Sequence, residues 1–185
     1  LTNYQIADCD SPVGVVVDAG PSLGYGHAMR CLRLARALKE ETQVTFYPTS
    51  EACERFLNDA APEFEIRNSK FDMESLPPFV ISDLREPKRI AAEHHISIHD
   101  LGLGQCQSDV VIDGSITRVF AYPEDMDRAY FFGPDYMITR EPVEREVIEN
   151  TVLITLGGGA SAAYTATIAD CLRPMGLKVS VTSGF

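Results

Sequence analysis

The segment Gly24-Tyr25-Gly26-His27-Ala28-Met29-Arg30 sets one histidine between a glycine loop and an apolar-periodic stretch that carries arginines. Gly24 and Gly26 let the backbone take dihedrals closed to other residues and let a ligand come close, while the N-terminus of a following helix presents unpaired amides. Such a loop suits a phosphate or a sugar hydroxyl. His27 falls in the first turn of that helix, where the positive end of the dipole favours the neutral imidazole that can act as a base. His27 is therefore the candidate catalytic residue, and Arg30, one turn on, is expected to face the same cleft. The competing reading is a tight strand-to-helix turn in which His27 caps the helix and Arg30 is solvated. A dinucleotide fingerprint is excluded here, because Gly-x-Gly-x-x-Gly requires glycine where Met29 stands.

A second loop, Gly157-Gly158-Gly159-Ala160-Ser161-Ala162, does satisfy Gly-x-Gly-x-x-Ala. A dinucleotide site also needs an acid about 20 positions further on to bind the ribose hydroxyls, and the stretch from Lys178 to Gly184 has none. A nicotinamide oxidoreductase is thereby disfavoured. What remains is a loop that holds a nucleotide diphosphate on a helix N-terminus, or a close-packed turn. His99-Asp100 follows an apolar run at a strand end, so either residue could orient His27 or contact substrate, or Asp100 could cap a turn. Asp18, Asp83 and Asp113 also fall at or just past strand ends, where one or two would face the cleft. The candidate set is His27 and Asp100 for catalysis, Gly24, Tyr25, Gly26, Arg30, Asp18 and His99 for substrate, and Gly157, Gly158 and Gly159 for nucleotide phosphate. No spacing of Cys, His or acids suggests a metal, no cofactor is expected, and no Gly-x-Ser-x-Gly elbow argues for acyl transfer.

The elements that position these residues follow from hydrophobic period. Residues 13 to 18 form an apolar, β-branched run bounded by Pro12 and Gly20, as in a central parallel strand buried on both faces. Ala28, Cys31, Leu32, Ala35 and Leu38 recur at helical spacing with Arg30, Arg33, Arg36 and Lys39 between them, so 27 to 40 reads as an amphipathic helix. Strand, helix and strand repeat over 43–47, 50–60 and 64–67, with Ser50 as a helix cap. Further strands are expected at 79–82, 96–99 and 110–112, with a helix from Pro87 to His95 whose end holds His94 and His95 as partners of the dipole. Alternation of this kind implies an α/β fold, a Rossmann-like parallel sheet flanked by helices, with right-handed crossovers that bring every strand's C-terminal end to one edge. A first domain over 1–140 is expected, then a connector over 141–150 rich in charge. A second unit over 151–185 begins strand, glycine loop, helix, strand and stops short, and both chain ends read as cuts in something longer.

A net charge of -11, from 16 basic and 27 acidic residues, opposes binding to nucleic acid or anionic membrane, since no basic excess exists to neutralise phosphates. An anionic ligand must then be held locally. No apolar run reaches the roughly 18 residues a membrane span needs, so a cytoplasmic setting is expected. Cys9, Cys31, Cys53, Cys106 and Cys171 are odd in number and scattered, which reads as reduced thiols.

The run from Asp18 through Gly-Tyr-Gly-His-Ala-Met-Arg-Cys-Leu-Arg-Leu-Ala to Ala35 resembles the family of nucleotide-sugar hydrolases of pseudaminic acid biosynthesis and related spore-coat polysaccharide proteins. Supporting stretches follow in family order: Ser97-Ile98-His99-Asp100, Ser108 to Ile112, Gly133-Pro134-Asp135-Tyr136 with Arg140, and Val152 to Gly159. The resemblance implies a two-domain GT-B fold related to MurG-like glycosyltransferases. It implies that His27 activates water, or an acceptor hydroxyl in a transferase, for attack on the anomeric carbon of a UDP-linked sugar. The N-terminal domain would contact the sugar and the C-terminal domain most of the nucleotide. The chain has His99-Asp100 where the family shows Asp-Asp, and Gly157-Gly158-Gly159-Ala160 where it shows Gly-Gly-x-Asp. A reading of a different class is a non-catalytic nucleotide-sugar or carbohydrate-binding module that retains the fold.

Overall fold

The computed structural model describes residues 11–86, 88–99, 107–115, 129–139, 148–155 and 162–181. Seven parallel strands form one sheet: β1 (Val13–Val17), β2 (Val44–Pro48), β3 (Glu65–Ile66), β4 (Phe79–Asp83), β5 (His94–His99), β6 (Val110–Asp113) and β7 (Ala129–Phe132), in the order β3-β2-β1-β4-β5-β6-β7. Helix α1 (Gly26–Leu38) connects β1 to β2, and α2 (Glu51–Ala60) connects β2 to β3. The α/β, Rossmann-like reading is what the sheet shows. Because the order reverses between β1 and β4, their C-terminal ends flank a switch point, where ligands of open α/β sheets bind.

β1 is central because its Val15, Val16 and Val17 are wholly buried, with a packed cluster on each face. Val15 and Val17 meet Ala28, Cys31, Leu32 and Ala35 of α1 and Cys53 and Leu57 of α2 on one side. Val16 meets Tyr47, Val80 and Ile90 on the other. Burying Leu32 and Leu57 against these strands contributes about 1.5–3 kcal/mol each and fixes the angle at which α1 leaves the sheet edge. Ser50 caps α2 as expected, its hydroxyl accepting the Cys53 amide at 3.3 Å.

The helix expected over Pro87 to His95 is a correction. Positions 88 to 91 are irregular, and His94 and His95 open β5, so neither is a helix-end dipole partner. The ladder explains the override, since His94 pairs Phe79 and His95 pairs Val80 of β4. His95 is then fully buried, its Nε2 at 2.8 Å from the Ser82 hydroxyl and its Nδ1 accepting the Ile90 amide at 3.4 Å. Polar satisfaction inside the sheet outweighs the helix propensity of the Ala-Ala-Glu segment. β7 was not foreseen either; it pairs with β6 in parallel, from Val110 opposite Ala129 to Asp113 opposite Phe132.

A separate parallel pair joins β8 (Thr151–Ile154) to β9 (Lys178–Val181) through α3 (Ala162–Leu172). Residues 156–161, which hold Gly157, Gly158 and Gly159, lie outside the described residues.

Candidate active site

The loop from β1 to α1 closes on itself before the helix begins. The Gly20 amide donates to the Gly24 carbonyl at 3.1 Å and the Gly24 amide donates back to Gly20 at 2.7 Å. Gly24 takes a φ of 79°, in the left-handed region that a Cβ disfavours. These two amides serve the turn. Tyr25 stands at the N-cap and turns its ring onto Phe56 of α2, with centroids 4.6 Å apart, while a Cβ added to Gly26 would meet nothing within 4 Å. The surface beside Gly26 is open.

His27 and Arg30 are one turn apart on α1 and so share a face. That face meets the last residue of β4. Register sets Asp83 opposite Val17 of β1, and the alternation of a strand sends Ser82 towards His95 and Asp83 towards α1. Asp83 Oδ1 lies 2.6 Å from His27 Nδ1 and accepts Arg30 Nη2 at 2.8 Å; Oδ2 accepts Arg30 Nε at 2.7 Å and the Cys31 thiol at 3.8 Å. The side chain of Asp83 is 1% exposed, against 24% for His27 and 16% for Arg30. The carboxylate is thus the buried anchor and the imidazole the group that reaches the surface.

Burial by itself pushes the Asp83 carboxyl up, but the hydrogen bonds from His27 and Arg30 and the charge of Arg30 outweigh it and hold the group below the usual carboxylate range. An ionised Asp83 at this distance requires the proton of a neutral His27 on Nδ1, which makes Nε2 the basic nitrogen. Cys31 moves the opposite way, pushed well above the usual thiol range by burial and then by the Asp83 charge, and it remains a donor. A buried carboxylate that orients an imidazole is an arrangement able to act as a general base.

A crevice of about 400 Å³ opens at the strand ends, lined by Asp18, Leu23, Thr49, Leu84, Arg85, Glu86 and Lys88, and not by His27 or Asp83. That volume lies within the ordinary range for small-molecule sites. Leu84 follows Asp83 in the chain but packs with Val16, Tyr47 and Val80, on the face of the sheet opposite α1. Asp18 faces it while accepting the Ser50 hydroxyl at 3.1 Å.

In sequence, the chain is similar to the spore coat polysaccharide biosynthesis protein SpsG of Bacillus subtilis, with 30% identity over an alignment that covers 79% of this chain and 50% of that protein. The chain spans about half of that relative's length. No family model matches the chain, and no solved structure matches it.

Of the residues singled out from sequence, His27, Arg30, Gly24, Gly26, Tyr25 and Asp18 gather around the β1 and β4 ends. Tyr25 is engaged with Phe56, and Arg30 with Asp83. The backbone of His99 ends β5 opposite Asp113, one strand further from β1 than β4 is. Asp100, like the Gly157 to Gly159 loop, lies outside the described residues. Asp113 is buried and accepts the Ser115 amide of its own turn at 2.9 Å. The sequence reading missed that Asp83 is the partner of His27. The signal available was an acid closing the otherwise apolar run Phe79-Val80-Ile81, on the strand that sheet order sets beside β1. Among the described residues no three His, Cys, Asp or Glu side chains converge to hold a metal, and no helix is long and apolar enough to cross a membrane.

Proposed function

We propose that this chain carries the base-bearing part of a nucleotide-sugar-processing enzyme of surface polysaccharide or glycan biosynthesis. The observation that carries the reading is the 2.6 Å contact of His27 Nδ1 with buried Asp83, the imidazole itself remaining part-exposed. In the proposed reaction an oxygen nucleophile, water or an acceptor hydroxyl, attacks the anomeric carbon of a UDP-linked sugar. The C–O bond to the diphosphate breaks, UDP leaves with the bonding pair, and the proton of the nucleophile passes to His27 Nε2. Asp83 stabilises the imidazolium so formed without taking its proton. A positioned base of this kind contributes roughly 10²–10⁴-fold. The likeness to a polysaccharide biosynthesis protein supports the substrate class. The resemblance to GT-B proteins suggests that Gly157, Gly158 and Gly159 hold the diphosphate and that the sugar lies over the β1 and β4 ends.

The test is UDP release from a panel of UDP-sugars, with and without sugar acceptors, in the wild type and in His27→Ala. Release that falls by at least about 100-fold in the variant while binding persists supports the base role. Equal binding and no turnover in both proteins would replace it with a non-catalytic binding module.

A further inference from the structure

Asp83 accepts from four donors among the described residues, and only one of them is the proposed base. Arg30 supplies two, reaching both oxygens with Nη2 and Nε, and the same Nη2 lies 3.4 Å from His27 Nδ1. Cys31 supplies the fourth, so each oxygen carries two donors. A lone carboxylate 2.6 Å from an imidazole favours the imidazolium, which is no base. A guanidinium nitrogen 3.4 Å from the same ring nitrogen opposes that effect, and its planar, permanently charged fork also fixes the plane of the carboxylate. Asp83 from β4 and Arg30 from α1 are charged groups that face the ring, while Cys31 of α1 is neutral.

We propose that Arg30 is a positioning residue for His27. Its fork locks the rotamer of Asp83 and offsets the carboxylate's charge, so that the ring keeps its proton on Nδ1 and yet remains neutral. Arg30 thereby serves the imidazole through Asp83, whereas the sequence reading assigned it to substrate. The inference rests on the reading of His27 as the base.

The experiment is a titration of the His27 ring by nuclear magnetic resonance in wild type, Arg30→Gln and Arg30→Lys, with nitrogen shifts to report the tautomer. Arg30→Gln is expected to raise the His27 midpoint by about one unit, a tenfold tighter hold on the proton. Arg30→Lys keeps the charge without the fork; it should leave the midpoint near the wild-type value, mix the two neutral tautomers and lower kcat for UDP release. An unmoved or lowered midpoint in Arg30→Gln overturns the proposal. If that variant does not fold, Arg30→Lys decides, and an unchanged tautomer with unchanged kcat overturns it. A midpoint that moves as expected in a protein that releases no UDP keeps the role of Arg30 and removes the reaction. UDP release with an unmoved midpoint does the reverse.

Discussion

Asp83 on β4 and His27 on α1 are 56 positions apart in the chain, and their side chains meet at 2.6 Å. The Asp83 side chain is sealed and that of His27 is part-exposed, so the pair links the core to the surface.

Asp83→Asn separates orientation from charge. The amide is nearly isosteric, but it offers one acceptor oxygen where the carboxylate offers two, and it removes the negative charge that Arg30 meets at this position. We expect kcat for UDP release to fall by roughly 10²–10⁴-fold with the far-ultraviolet circular dichroism unchanged. Retention of more than a tenth of wild-type turnover would show that His27 needs no oriented acid.

Acid should destabilise the fold through the same carboxylate. The pKa of Asp83 is lower folded than unfolded, so between the two values the unfolded chain binds more protons and stability rises with pH. The stabilisation is fully present above the unfolded value, about pH 4, and is lost as pH falls through the folded one. Asp109 is lowered too: burial raises it, but bonds from Arg89 and the His95 amide outweigh that, so it adds a loss in the same direction. Urea midpoints from about pH 5 downwards should fall more steeply in wild type than in Asp83→Asn; parallel slopes would contradict the assignment.

Cysteine reactivity should divide by burial. Burial pushes the Cys53 thiol up to about 12 and holds Cys31 well above the usual thiol range, whereas Cys171 is exposed. Since the thiolate is the nucleophile, alkylation of Cys171 at pH 8 should outpace that of Cys31 and Cys53 by about 100-fold or more. Peptide mapping by mass spectrometry reads the rates, and early labelling of Cys31 would mean that the α1 and β4 contact opens in solution.

Gly24→Ala isolates backbone strain. The φ of 79° opposes any L side chain, yet the added Cβ meets nothing within 4 Å, so no clash contributes. A cost of about 1–2 kcal/mol should lower the melting temperature by about 2–8 °C. An unchanged melting temperature would mean that the loop can redraw its Gly20 to Gly24 pairing without loss.

Local pattern alone determined much of this protein. The apolar run of β1, the 3.6-residue recurrence in α1, the Ser50 cap and the glycine loop before His27 are local signals, and each element formed within a few residues of where its pattern predicts it. The candidate base was legible for the same reason, because a glycine loop followed by a histidine at a helix start carries its chemistry in contiguous residues. Tertiary structure alone decided what His27 touches. Register in the sheet set Asp83 beside β1, strand alternation turned it to α1, and Arg30 and Cys31 then closed round it. The same ladder drew His94 and His95 from an expected helix into β5. Pairing between strands far apart in sequence depends on which buried polar groups find partners and which apolar faces meet, and no window of the chain records that.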